Sequence, residues 1–180
     1  MFTLPIGCAL VALLLPGIAN ALVDVMQTPD KVHVAAESAT ADQSDSPLAH
    51  VVATPQADGL HIRLSAPGQA IKSISLHWSG NLNADTRCLG DAWERAYADL
   101  GWRPLADSGV MPWYFLANAG DRTDGYGVMT RPGAMCHWTA DATGITLVAD
   151  VRSGGVGVEL GDRTLDGPWL ARAIITLAAA

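Results

Sequence analysis

The carboxylates at Asp91, Glu94, Asp99, Asp121, Asp124, Asp150, Glu159, Asp162 and Asp166 are the side chains of this chain best suited to acid–base chemistry. Cleaving a glycosidic bond needs two such groups facing each other, about 5 Å apart for retention and roughly 6.5–9.5 Å for inversion. Most of these residues stand among Gly, Thr, Ser and Arg in stretches that read as turns. A solvated turn Asp bonds its own backbone and needs no catalytic reason. No catalytic residue is assigned on this ground.

Other chemistries fail on spacing. The histidines His33, His50, His61, His77 and His137 are scattered singly, without a His or Cys partner at zinc-ligand spacing, and read as strand surface residues. Asp121, Asp124 and Gly125 lack the alternating oxygens of a calcium loop. The glycines between Ser153 and Gly161 lack dinucleotide spacing and a following helix whose N-terminus could hold phosphate, so they read as a turn leading into a strand. No Gly-x-Ser-x-Gly elbow is present. The expectation is no metal and no cofactor.

The chain has 180 residues and a net charge of −7, without a run of Lys or Arg. That excludes a footprint for nucleic acid. Residues 4–18 form an apolar run too short for a comfortable membrane span, and Ala19-Asn20-Ala21 puts small residues at both cleavage-determining positions. Residues 1–21 are therefore expected to be a signal peptide and 22–180 a β-sandwich domain, secreted or periplasmic, with no membrane attachment after cleavage. Export would leave Cys88 and Cys136 either to pair as a disulfide or to sit as two buried thiols.

Positioning elements follow from period and punctuation. Residues 38–48 are small and polar and read as a loop. Beyond them, Leu60–Ser65 and Ile71–Trp78 alternate apolar with polar, the second after a one-residue slip. The series continues at Trp113–Ala117, Gly125–Thr130, Ala134–Thr139, Ile145–Val151, Val156–Leu160 and Leu170–Leu177. Many short strands with Gly and Pro turns predict an all-β, antiparallel β-sandwich. One short helical turn interrupts it: Asp91 and Glu94 have the side chains of a capping box, and Trp93, Tyr97 and Leu100 share one face. The tetrapeptide Gly-Asp-Arg-Thr, at 120–123 and 161–164, reads as turn chemistry used twice.

Residues 86–166 also carry a likeness to a known family. The motifs are Gly90-Asp91-Ala92-Trp93-Glu94-Arg95, Pro112-Trp113-Tyr114-Phe115-Leu116, Asp124-Gly125-Tyr126-Gly127-Val128, Cys136-His137-Trp138, Asp150–Gly155 and Leu160–Leu165. Together they resemble the N-terminal, supersandwich-like domain of α-galactosidases of glycoside hydrolase family 36. The resemblance implies a non-catalytic fragment of a secreted enzyme, packing in cis or trans against a (β/α)₈ barrel that carries the catalytic aspartates. Such a barrel needs roughly 250 residues and has no counterpart in this sequence. It further implies that a sandwich loop lines the sugar pocket, with Asp91, Trp93 and Arg95 as the residues contacting an α-galactoside. Two other readings stay open. One is a stand-alone exported carbohydrate-binding module with a platform drawn from Trp78, Trp93, Trp102, Trp113, Trp138 and Trp169. The other is a structural domain that associates through an apolar edge.

Trp93 is either a sugar contact or a staple holding the helical turn to a sheet. If it is a staple, Trp93→Ala costs about 3–5 kcal/mol. If it stacks on sugar, the melting midpoint stays near wild type and only glycan binding weakens. Thermal melting with and without ligand separates the two.

Overall fold

The structure is a computed structural model that describes residues 22–37, 50–55, 60–90, 101–128, 134–152, 158–166 and 168–173, the last two ranges as backbone. Among these residues there are twelve strands in two antiparallel sheets and one 3₁₀ turn, Leu105–Asp107. The all-β sandwich expected from alternation is the observed architecture. The apolar run before Leu22, the polar stretch 38–48 and the helical turn expected from Asp91 lie outside the described residues.

The first sheet is organised on β3, Leu60–Ser79, a 20-residue strand where the sequence suggests two. Its buried residues are Leu60, Ile62, Leu64 and Ala66, then Ile71, Ile74, Leu76 and Trp78. The phase of burial slips on either side of Ile71. The pairing slips with it: in β1, Lys31–Ala36, Ala35 lies opposite Ser73 and Ala36 opposite Ile71, so one residue of β3 is bulged. A bulge lets one strand keep both halves of its apolar set on the core side. β1 and β2, His50–Pro55, line one edge of β3. β10, Gly144–Asp150, and β11, Val158–Asp166, line the other. Beyond β10 come β9, Met135–Asp141, and the short β6, Met111–Pro112. The second sheet runs β12 (Pro168–Ala173), β8 (Arg122–Val128), β7 (Tyr114–Ala119), β4 (Arg87–Gly90) and β5 (Arg103–Pro104).

The two copies of Gly-Asp-Arg-Thr do not share a structure, which corrects the expectation of a repeated turn. At the first, Gly120 takes φ 68 and turns the chain between β7 and β8. The second lies inside β11, where Gly161 to Thr164 pair with Ala66 to Arg63 of β3. Ladder pairing along a long neighbour outweighs the turn preference of four residues.

Four aromatics join the sheets. Trp78 and Trp138 come from the first, Phe115 and Tyr126 from the second, and all are at most 2% exposed. Phe115 stacks on Tyr126 at 4.8 Å, and Trp138 lies 5.8 Å from Phe115 and 6.3 Å from both Tyr126 and Trp78. These separations fall in the range of favourable offset and tilted ring pairs.

The β9–β10 hairpin closes on Asp141, whose carboxylate accepts the Thr143 N–H at 2.7 Å, followed by Gly144 at φ 150. A Cβ on Gly144 would stand 2.1 Å from the Trp78 carbonyl oxygen, an atom of a sheet backbone that cannot give way. Gly144→Ala is expected to cost about 3 kcal/mol, overpacking added to left-handed strain. At Gly109, φ is 64 with nothing within 4 Å of an added Cβ, so Gly109→Ala meets only the backbone term, about 1 kcal/mol. Urea unfolding of the two variants checks the ranking, and equal losses would refute it.

Candidate functional site

The residues singled out by sequence separate sharply. Asp91, Trp93 and Arg95 lie outside the described residues. Of the proposed tryptophan platform, Trp78 and Trp138 belong to the core and are corrected on that ground: ring burial between two sheets leaves no face for a ligand. Trp102 is half-buried, and Trp169 stands opposite Gly127 in the pairing of β12 with β8. Trp113 is 37% exposed and its neighbour Tyr114 38%.

Trp113 occupies the point where the chain leaves one sheet for the other, between β6 and β7. It is the one non-glycine residue with positive φ among the described residues, at 64°. A bulky L-residue there pays about 1–2 kcal/mol. Its backbone is held from three sides. Its N–H donates to the Cys136 carbonyl at 3.1 Å, and its carbonyl accepts the Val128 N–H at 3.1 Å and the Trp138 indole N–H at 3.2 Å. Strain maintained by surrounding bonds, at a residue whose large side chain reaches solvent, is a physical pointer to use. The sequence showed the aromatic run Trp113-Tyr114-Phe115 but gave no sign of the left-handed backbone.

The histidines do not converge. All five stand on strands, as expected. His33, Ser75, Val148 and His137 form one row across β1, β3, β10 and β9. Three strand spacings put the two imidazoles about 14 Å apart, too far for one metal ion. The His77 ring shares a hydrogen bond with Thr146 at 2.9 Å. Burial pulls the His137 pKa below the ordinary imidazole value, with Asp150 opposing. Among the described residues no group of His, Cys, Asp and Glu could hold a metal.

Asp124 departs from the reading of the carboxylates as solvated. It is 3% exposed, and Arg122 binds it through Nε at 3.1 Å and Nη2 at 3.1 Å. The Leu22 backbone nitrogen donates to its Oδ2 at 2.6 Å, and the Val23 nitrogen donates to the Tyr126 hydroxyl at 3.1 Å. Asp150 is likewise engaged, by Arg152. A shallow groove of about 640 Å³ lies between Leu105, Val110, Ala140 and Ala142, but its lining is mostly small and apolar. Its Asp141 is already committed to Thr143.

Compared with family models, curated proteins and solved structures, the chain finds no match. The likeness to family 36 domains therefore rests on the motifs alone.

Cys88 on β4 and Cys136 on β9 are buried free thiols in opposite sheets. Burial raises their pKa values to about 11 and about 12. At pH 8 the thiolate fraction is then on the order of one in a thousand or less. Both are expected to resist iodoacetamide in the native protein and to react in urea. Rapid native alkylation, or an intact mass lighter by two hydrogens, would contradict this.

Proposed function

We propose that the chain is an exported, non-catalytic carbohydrate-binding β-sandwich whose contact surface is the corner formed by Trp113 and Tyr114. The observation that carries this reading is the strained, solvent-reaching Trp113, its backbone fixed by three hydrogen bonds, two from backbone and one from the Trp138 indole, beside a second exposed aromatic. Sugars present a face of C–H groups, and a flat aromatic ring offers it area at little cost in side-chain entropy. A corner locked in place holds that ring ready before the ligand arrives. Asp124 and Asp150 are engaged by arginines and Asp141 by Thr143. The family 36 likeness makes α-galactosides the first ligands to try, and a catalytic barrel, in cis or trans, the partner that would deliver them.

The test is affinity electrophoresis in a galactomannan that bears α-galactosyl branches. Wild type is expected to be retarded, and Trp113→Ala and Tyr114→Ala each to weaken binding about tenfold, near 1.4 kcal/mol. Trp113→Gly is expected to lose binding, and it should be less destabilised than the burial lost with a ring 37% exposed would imply, because glycine relieves the left-handed strain. Unretarded wild type, or Trp113→Ala retarded as strongly as wild type, would sink the reading.

A further inference from the structure

We infer that Leu22 is the first residue of the mature chain and that its α-ammonium group forms an ion pair with the buried carboxylate of Asp124, so that removal of residues 1–21 completes the fold. Two independent observations meet at one peptide bond. From sequence, an apolar run followed by Ala19-Asn20-Ala21 places the scissile bond between Ala21 and Leu22. From structure, the nitrogen that this cleavage would free lies 2.6 Å from Asp124 Oδ2, in a site where Asp124 is 3% exposed.

The segment that follows is built into the sandwich. Val23 and Val25 are buried, and a Cβ on Gly80 would strike the Val23 side chain at 2.5 Å. The Val23 N–H meets Tyr126 in the second sheet, while Trp78 of the first donates its indole N–H to the Gln27 carbonyl at 2.7 Å. Asp30 completes the attachment, its N–H donating to the His77 carbonyl and its carboxylate accepting the Ser79 N–H. Residues 22–30 thus span both sheets, starting at the Leu22 nitrogen.

Charge supports an amine there. The ionisable neighbours of the Tyr126 hydroxyl include the carboxylates Asp124 and Asp24 and the guanidinium of Arg122. The Asp124 carboxylate, 3% exposed and 2.6 Å from the Leu22 nitrogen, is the group with which an α-ammonium would pair. A backbone amide at the same place donates one hydrogen bond without charge; an ammonium adds two protons and the charge. Signal removal then does more than release the chain, because it creates the group that the buried carboxylate is placed to receive. The inference does not depend on glycan binding.

The experiment uses the protein secreted by an exporting host, identified by intact mass, and an amine-acylating reagent at pH 7. Lys31 and Lys72, the two lysines of the chain, serve as internal controls. An ordinary α-amine, with pKa about 7.7–8.0, acylates ahead of lysines near 10.4. The expected result is a terminus at Leu22 and a reversed order in the native protein, with Lys31 and Lys72 modified first. The ordinary order should return in urea. In Asp124→Asn the α-amine should react on the order of a hundredfold faster or more, because a reversed order requires its pKa to stand above that of the lysines, more than about two units over its ordinary value. Should that variant not fold, a chain with one glycine added before Leu22 serves instead, and its displaced amine should label first. A terminus other than Leu22, or an α-amine that acylates ahead of the lysines in native wild type, would overturn the inference.

Discussion

The structure depends on the burial of Trp138. Its ring touches Trp78, Phe115 and Tyr126, so a single side chain from the first sheet contacts both aromatics of the second. A buried indole must also place its N–H. The acceptor is the carbonyl of Trp113, the residue at which the chain turns the corner with positive φ. Magnitudes explain why the strain persists. Three ring contacts contribute about 0.5–1.5 kcal/mol each beyond burial, and an unsatisfied buried donor costs about 1–3 kcal/mol. Left-handed backbone at one residue costs about 1–2 kcal/mol. The core therefore outweighs the corner and holds it, and a surface feature is specified from inside.

Tyr126 extends the same logic to the other side of the core. Its ring stacks on Phe115 while its hydroxyl accepts the Val23 N–H, and burial raises its pKa well above the ordinary phenol value, keeping the hydroxyl neutral. Two residues earlier on the same strand face, Asp124 receives the Leu22 nitrogen. β8 thus presents ring, hydroxyl and carboxylate to one side, and the segment from Leu22 to Asp30 bonds to the hydroxyl and the carboxylate. Sheet-to-sheet attachment comes from the aromatic cluster and from this segment, two connections of different chemistry.

How much of this was legible follows from range. Alternation in Leu60–Ser65, Ile71–Trp78 and Ile145–Val151 reports a local fact, which face of a strand is buried, and those strands stand where alternation puts them. β1, Lys31–Ala36, carries the same alternation in Val32 and Val34 but in a shorter run, and no strand was expected there. The joining of two segments into one β3 is not local, because it depends on which neighbours line each edge. Gly161–Thr164 shows the limit most clearly, since its composition says turn and its neighbour says strand. Asp124 was invisible as a buried charge for the same reason: its partners, Arg122 and Leu22, lie 2 and 102 residues away. The site residues Asp91, Trp93 and Arg95 came from resemblance, and the described residues do not bear on them.

The distribution of polar chemistry points outward rather than inward. Among the described residues, every buried side-chain nitrogen or oxygen has a hydrogen-bond partner. Polar groups satisfied in this way stabilise and position their surroundings but have little reactivity to spare. The buried thiols are held neutral by the same enclosure. What the fold leaves available is surface, and among the described residues the exposed large apolar ones are Val52, Val110, Trp113, Tyr114 and Met135. Isolated exposed aliphatics are ordinary on a soluble surface. Two adjacent aromatics at a strained corner are not, since glycine would turn there without left-handed strain.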